Sequence, residues 1–146
     1  MRKASSELLL LDVNVLLAIA WPNHQFHTAA IAALARENRW ATCALTQLGF
    51  IRLSSNPAAI STAKSPEEAT GLLVRLVADS LHIYLDSLPA PASADWRDAF
   101  RQLLGYQQVM DAYLLKLAAA NNAVLVTFDR RLESVAGGKP RVTVLG

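Results

Sequence analysis

The sequence predicts an α/β fold: a five-stranded parallel sheet with helices on both faces. Short apolar runs alternate with helical patterns along the chain, as parallel strands joined by helical crossovers require. The first apolar run shows no alternation with polar residues, which is typical of a strand buried on both faces. A length of 146 residues suits one domain with a sizeable core, so we expect residues 1–146 to form a single domain.

Five apolar runs are predicted to form the strands. They are Leu8 to Leu11, Trp40 to Cys43, His82 to Leu85, Val124 to Thr127 and Val142 to Leu145. One carboxylate, Asp12, follows the first run directly. An ionised aspartate is almost never buried alone, so Asp12 is expected at the carboxyl end of the strand, where open parallel sheets bind ligands. The alternative is that Asp12 only caps the helix that starts near Val13.

Helical patterns fill the intervals between the strands. The predicted helices are a short one ending at Trp21-Pro22, then about His24 to Asn38, the residues after Thr46, Ser65 to about Ser80, Trp96 to Leu104, Gln107 to Asn121 and Arg130 to Val135. Asn23 and Thr46 are expected to cap the second and third helices. The clearest start is Ser65-Pro66-Glu67-Glu68, where serine caps the helix, proline takes the first position and glutamate completes a capping box.

Composition and charge narrow the class of protein. The chain is 53% hydrophobic and 18% charged, which indicates that a partner covers part of its surface. A net charge of +2 permits contact with a polyanion without requiring it. The single Cys43 excludes an internal disulfide and fits a reducing compartment. Because Asp12 and Asn14 interrupt the first apolar run, we expect neither a signal peptide nor a membrane span, and the location is predicted to be cytoplasmic.

Two further carboxylates are predicted to reach the same edge of the sheet as Asp12. Asp129 comes directly after the fourth strand. Asp111 lies near the start of a helix, in line with Leu114 and Ala118 at helical spacing, so it is expected to face the sheet. That helix leads into the fourth strand, so its amino end is expected close to the same edge of the sheet. This placement would bring the three acids together.

Each acid also has a purely structural explanation. Asp129 could cap the next helix, and Asp111 could simply suit the helix dipole. Three converging carboxylates, however, would repel each other by roughly 3 kcal/mol per pair at about 5 Å with an effective dielectric constant near 20. Such a cluster persists only with a cation, and ligands that are all oxygen favour Mg²⁺ or Mn²⁺ over zinc.

Four segments that together span most of the chain carry a resemblance to a known family. They are LLDVNVLLAIAWPNHQFH at Leu10 to His27, WATCALTQLGFIRLSSNP at Trp40 to Pro57, QVMDAYLLKLA at Gln108 to Ala118, and LVTFDRRL at Leu125 to Leu132. In this order they resemble the PIN-domain ribonucleases of the VapC type, the toxin half of a toxin–antitoxin pair. The set is specific, although no single segment is.

The resemblance implies an activity, a cofactor and partners. The activity is hydrolysis of an RNA phosphodiester by water on one or two Mg²⁺ ions, with Mn²⁺ as a substitute. Asp12, Asp111 and Asp129 match the catalytic, metal-binding acids of the family, and Asn14 and Thr127 match the hydrogen-bonding residues beside them. The implied partners are the RNA substrate, a VapB-type antitoxin whose basic tail reaches the acidic site, and a second copy of the chain in a homodimer.

Gln47 departs from the family pattern. The family usually has glutamate after threonine here, whereas this chain has Thr46-Gln47-Leu48. An amide oxygen can contact a metal or its water but brings no negative charge, so a second ion should bind weakly. Either three aspartates suffice for cleavage, or the chain is a weakened module that binds antitoxin or RNA without cutting efficiently.

The substitution Gln47→Glu is expected to raise Mg²⁺-dependent RNA cleavage, because it restores a negative ligand. The measurement is the cleavage rate of the two forms side by side. Equal rates would exclude a catalytic role for this position.

Other polar and aromatic residues have weaker claims to function. His24 and His27 could bind a metal at helical spacing, but a solvated or capping role is favoured. His82 is expected to be a packed imidazole, and Asp86 should lie away from the other acids after an edge strand. Trp21 and Tyr106 could stack on bases, although packing is the safer interpretation.

Basic residues provide a possible phosphate-steering surface. They are Arg52, Lys64, Arg97, Arg101, Arg130 and Arg131. Ordinary surface charge explains most of them.

A receiver-like phosphorylation domain is a further alternative, since it also combines a parallel sheet with acids and Mg²⁺. It is disfavoured because a paired acid after the first strand and a lysine after the last strand are both missing. The only adjacent glycines, Gly137-Gly138, do not form a phosphate-binding loop pattern.

Overall fold

The five strands form one parallel sheet, as predicted. The computed structural model describes residues 7–34, 38–86, 88–101, 105–136 and 142–145. Its strands are β1 (Leu8–Leu11), β2 (Arg39–Thr42), β3 (His82–Tyr84), β4 (Ala123–Thr127) and β5 (Val142–Val144). Their order across the sheet is β3-β2-β1-β4-β5, and every pairing is parallel.

The strand order reverses direction at the centre of the sheet. The chain first builds outward from β1 through β2 to β3, and then returns to place β4 on the other side of β1. In such sheets the connections after the two central strands leave in opposite directions, so a crevice opens at their carboxyl ends. Asp12 follows β1 and Asp129 follows β4, so the topology brings both acids to this crevice.

Helices cover both faces of the sheet. They are α1 (Val13–Ala20), α2 (His27–Leu34), α3 (Ala44–Ser54), α4 (Pro66–Val77), α5 (Arg97–Arg101), α6 (Val109–Ala120) and α7 (Arg131–Ala136), with 3₁₀ turns at Ala94–Trp96 and Tyr106–Gln108. No helix within the described residues is both long and apolar enough to cross a bilayer.

Alternate residues of β1 supply two separate cores. Leu9 and Leu11 pack with residues of α1 to α4 on one face, whereas Leu8 and Leu10 pack with α6 and α7 on the other. This alternation follows from the strand geometry, in which successive side chains point to opposite faces. All four residues of β1 are buried, which explains why their sequence shows no polar alternation.

Two predicted helix caps are wrong. Asn23 lies in a turn, and α2 begins only at His27. Helix α3 begins at Ala44, so Thr46 is its third residue rather than its cap. The Thr46 hydroxyl accepts a hydrogen bond from the backbone N–H of Cys43 at 3.0 Å, so it stabilises the helix start from inside the first turn.

The predicted capping box of α4 is confirmed. The Ser65 hydroxyl accepts from the backbone N–H of Glu68 at 3.1 Å, and the Glu68 carboxylate accepts from the backbone N–H of Ser65 at 3.0 Å. The helix ends at Val77, three residues earlier than predicted. For the helix predicted over Trp96 to Leu104, α5 ends at Arg101 and the rest of the prediction lies outside the described residues.

Candidate active site

Asp12 stands where β1 ends and α1 begins. One carboxylate oxygen accepts a hydrogen bond from the backbone N–H of Val13 at 2.8 Å, and the other accepts from the hydroxyl of Thr127 at 2.8 Å. Asp12 is therefore both the acid at the carboxyl end of the strand and the cap of the following helix. Burial disfavours the charged form, so the pKa of Asp12 is raised above its usual value.

Thr127 connects Asp12 with Asp129. It is the last residue of β4 and is fully buried. Its hydroxyl donates to Asp12 Oδ2 at 2.8 Å and accepts from the backbone N–H of Asp129 at 3.0 Å. A hydroxyl can donate and accept at once, so this one side chain fixes the end of β4 relative to that of β1.

Asp111 faces the other two acids from the first turn of α6. With Asp12 it lines a cleft of about 290 Å³. The rest of the lining is Val13, Leu45, Leu48, Gly49, Arg52, Met110 and Leu114. Burial, and then the negative charges of Asp12 and Asp129, raise the pKa of Asp111 to about 6. The three predicted acids are thus close enough to repel one another.

Asp129 is distinguished by its cationic neighbour, Arg131. The Arg131 side chain donates to Asp129 from Nε at 3.0 Å and from Nη2 at 2.8 Å, and its backbone N–H donates at 2.9 Å. These bonds hold the pKa of Asp129 below its usual value. The expected helix-capping role of Asp129 is therefore also present, because the backbone bond lies at the start of α7.

The donor set suits a hard divalent cation such as Mg²⁺ or Mn²⁺. Its acids supply only oxygen ligands, and their mutual repulsion is what a bound cation would relieve. Across the ranges that the structure describes, however, no group of three or more His, Cys, Asp or Glu side chains is already arranged to hold an ion. The oxygen-only donor chemistry nevertheless fits such a cation.

The fold matches a known protein family. The PIN domain family model matches residues 9–138. The chain belongs to the PIN-domain family.

The resemblance to VapC-type PIN domains is confirmed by curated relatives from Mycobacterium tuberculosis. Ribonuclease VapC38 is 36% identical, covering 92% of this chain and 94% of its own. Ribonuclease VapC39 is 37% identical, covering 87% and 92%. Ribonuclease VapC44 is 39% identical, covering 87% and 89%.

Solved structures share the fold of this PIN domain at low sequence identity. VapBC2 from Rickettsia felis, solved bound to a DNA fragment from its promoter, matches with a TM-score of 0.62 and 17% identity, covering 95% of this chain and 99% of that one. VapBC-1 from nontypeable Haemophilus influenzae matches with a TM-score of 0.62 and 14% identity, covering 94% and 97%.

In this PIN domain the Gln47 side chain is hydrogen-bonded to Thr42. Its amide nitrogen donates to the hydroxyl of Thr42 at 3.0 Å, and that hydroxyl contacts Nε2 of His82 at 2.7 Å. The residues that line the acidic cleft do not include Gln47. Asn14, two residues after Asp12, has a buried Oδ1 atom without a hydrogen-bond partner among the described residues.

The histidines of the PIN domain make local contacts. His24 Nδ1 accepts from the backbone N–H of Phe26 at 3.0 Å, and His27 Nδ1 lies 2.6 Å from the carbonyl oxygen of Ala18. His82 packs edge-on against Trp40 with ring centroids 4.7 Å apart, as predicted. Asp86 is exposed after the edge strand β3.

One aromatic residue departs from the prediction that aromatics pack. Trp21 is buried and donates to the Ser54 hydroxyl at 3.1 Å, as expected of a core residue. Tyr106, in the 3₁₀ turn just before α6, is instead 85% exposed. Its packing prediction is therefore wrong, and the side chain is free of the core near the start of the helix that carries Asp111.

The pairing of Arg131 with Asp129 is the feature that sequence reasoning missed. From the sequence alone, Arg131 is expected to be one of the general surface charges. The available signal was its position two residues after an aspartate at the start of a predicted helix, which is a short enough separation for a local ion pair.

Proposed function

We propose that this PIN domain is an endoribonuclease that depends on Mg²⁺, with Mn²⁺ as a substitute. One observation carries the proposal: Asp12, Asp111 and Asp129 come together where the strand order reverses, closely enough that the pKa of Asp111 is raised. Strongly perturbed carboxylates in a cleft are typical of functional sites. The Mycobacterium tuberculosis relatives are named as ribonucleases, which supports the same activity.

Each residue of the site has a defined task in this reaction. Asp12, Asp111 and Asp129 would hold the cation, which when bound lowers the pKa of its water and neutralises charge on the phosphate oxygens. Thr127 fixes the orientation of the Asp12 carboxylate through its hydrogen bond. Arg52 lines the same cleft and supplies a cation for the RNA backbone. The buried Oδ1 of Asn14 is a spare acceptor beside the start of α1.

The proposed partners follow from the surface beside the acids. Leu48 is 65% exposed and Met110 is 58% exposed, and both line the cleft. Exposed apolar residues around an acidic cleft suit a VapB-type antitoxin with a basic tail, and further apolar surface suits a homodimer. The solved VapBC structures from Rickettsia felis and Haemophilus influenzae, which share this fold, support a VapB-type partner.

A second candidate is a weakened PIN module that binds antitoxin or RNA without efficient cleavage. The specific observation in its favour is the position of Gln47. Its amide group is occupied by Thr42 and adds no charge to the acids. This candidate retains the same binding surface but loses the hydrolytic step.

The test is cleavage of end-labelled RNA by the purified chain. We expect cleavage with Mg²⁺, loss of cleavage with EDTA, and recovery when excess Mg²⁺ is added back. Asp12→Asn should abolish it, whereas Asp86→Asn should not, because it removes the same charge from an exposed position after the edge strand. Cleavage that survives EDTA or Asp12→Asn would contradict the metal-dependent nuclease. RNA binding without cleavage in any condition would favour the weakened module.

A further inference from the structure

Arg131 makes three hydrogen bonds to the carboxylate of Asp129, two from its side chain and one from its backbone. Oδ1 of Asp129 accepts from both the backbone N–H and Nε of Arg131, and Oδ2 accepts from Nη2. A carboxylate oxygen has about two lone-pair sites, so Oδ1 has no site left for a further ligand. The pairing with Nε and Nη2 is the bidentate arrangement that arginine makes with carboxylates.

The other central acid is engaged in a different way. Asp12 accepts from the N–H of Val13 and from the hydroxyl of Thr127, both of which are neutral groups. One bond to each oxygen leaves a lone-pair site on each, and a neutral donor does not repel a cation. Asp12 can therefore take a metal ion without losing its present partners. Asp129 has a lone-pair site left only on Oδ2, and the guanidinium bound there repels a cation.

The Arg131 side chain is free to leave. Its side chain is 72% exposed, whereas that of Asp129 is 23% exposed, so the guanidinium lies on the solvent side of the pair. An exposed ion pair typically shifts an equilibrium by about 1.5- to fivefold, and the bidentate geometry places this one toward the upper end of that range, which a divalent cation can overcome. With this pair formed, no three His, Cys, Asp or Glu side chains of the described ranges are grouped so as to hold a metal ion.

We infer that Arg131 is an internal counter-ion that competes with the divalent cation for Asp129, and that its guanidinium swings into solvent when the cation binds. The inference rests on the proposed metal-dependent function. In this role Arg131 is a positioning residue. Its backbone N–H holds the Asp129 carboxylate at the start of α7, and its side chain lowers the affinity of that carboxylate for the cation. Metal affinity is therefore weakened by a residue of the chain itself.

The test is calorimetric titration of MnCl₂ into the full chain at low ionic strength, where screening is weak. Arg131→Gln should bind Mn²⁺ about three- to fivefold more tightly than the unaltered chain, the range expected for loss of one exposed ion pair. Arg130→Gln is the matched control, because it removes the same charge from the adjacent exposed residue and should change affinity less than about twofold. Arg131→Lys should fall between the two, since lysine keeps the charge and loses the bidentate geometry.

The outcomes separate this inference from the proposed function. Equal affinities for Arg131→Gln and Arg130→Gln, with binding abolished by Asp12→Asn, would overturn the role of Arg131 and leave the metal site intact. Weaker binding in Arg131→Gln would also overturn it, because it would show that arginine helps to build the site. Absence of Mn²⁺ binding in every form would overturn both. Circular dichroism of each variant checks that the fold is retained.

Discussion

Replacing Asp111 with asparagine is expected to stabilise the metal-free protein at neutral pH and to reduce RNA cleavage at least about 100-fold. Stability rises and activity falls because the Asp111 charge that destabilises the metal-free fold is also the charge that is proposed to bind the metal. Asp111 is half-buried next to Asp12 and Asp129, and its pKa is raised to about 6. Ionising it therefore destabilises the fold, while the proposed reaction needs that ionised carboxylate as a ligand.

The pH dependence of this effect follows from the shift in pKa. Between the ordinary value of 3.8 and about 6, the folded chain keeps a proton on Asp111 that the unfolded chain has lost. Stability therefore falls as pH rises through this window, and the full penalty is present above about pH 6. After discounting for solvent at a half-exposed group, the penalty is about 1–2 kcal/mol.

Thermal unfolding in EDTA measures the stabilising half of this prediction. Asp111→Asn should raise Tm by about 3–6 °C at pH 7.5. The difference should disappear below pH 3.8, where both forms are neutral at this position. Adding Mn²⁺ should raise the Tm of the unaltered chain but not that of Asp111→Asn, because only the former keeps the full ligand set. A variant less stable than the unaltered chain at pH 7.5 would contradict the raised pKa of Asp111, which comes from burial and then from the charges of Asp12 and Asp129.

Gly49→Ala is expected to destabilise the fold by about 1–3 kcal/mol. A Cβ atom at Gly49 would lie 2.7 Å from Cγ2 and 3.3 Å from Cγ1 of Val13, so α3 could not keep its distance from α1. Valine is stiff in a helix and cannot turn both methyl groups away. Because Val13 follows Asp12 and lines the acidic cleft, RNA cleavage should fall together with stability.

A second glycine provides the matched control for this substitution. A Cβ atom at Gly71, inside α4, would meet no atom within 4 Å. Gly71→Ala should therefore stabilise the protein by about 0.5–1 kcal/mol through the better helix propensity of alanine. Urea unfolding measures both variants. Adding Val13→Ala to Gly49→Ala should recover part of the loss, and strictly additive effects of the two changes would contradict a direct clash.

The fold and the convergence of the three acids at one edge of the sheet could be predicted because they depend on local patterns. A few neighbouring residues specify the buried run of β1, and a few others specify the serine capping box of α4. Both features are confirmed. Asp12 and Asp129 directly follow predicted strands, and parallel topology alone brings such residues to one edge of the sheet. Asp111 required only helical spacing to be assigned the inward face.

The details that could not be predicted depend on side-chain direction. Thr46 has the chemistry of a helix cap, yet its hydroxyl serves from the third position because Cys43 precedes the helix. Gln47 stands where the family resemblance predicts a glutamate, and its amide donates to Thr42. The spacing between Asp129 and Arg131 permits an ion pair without specifying which rotamer forms it. The partners in each of these contacts lie within five positions of one another, so the spacing permits the contact without specifying the side-chain rotamer that forms it.

The pairing of β1 with β4 also determines when the site can assemble during synthesis. The Thr127 hydroxyl and the Asp12 carboxylate that it holds are 115 positions apart along the chain. Translation proceeds from the amino end, so Leu8–Leu11 must wait for Ala123–Thr127 to leave the ribosome before its second neighbour in the sheet exists. A growing polypeptide therefore carries Asp12 before Thr127 and Asp129 exist, and the three acids cannot meet until synthesis has passed this point.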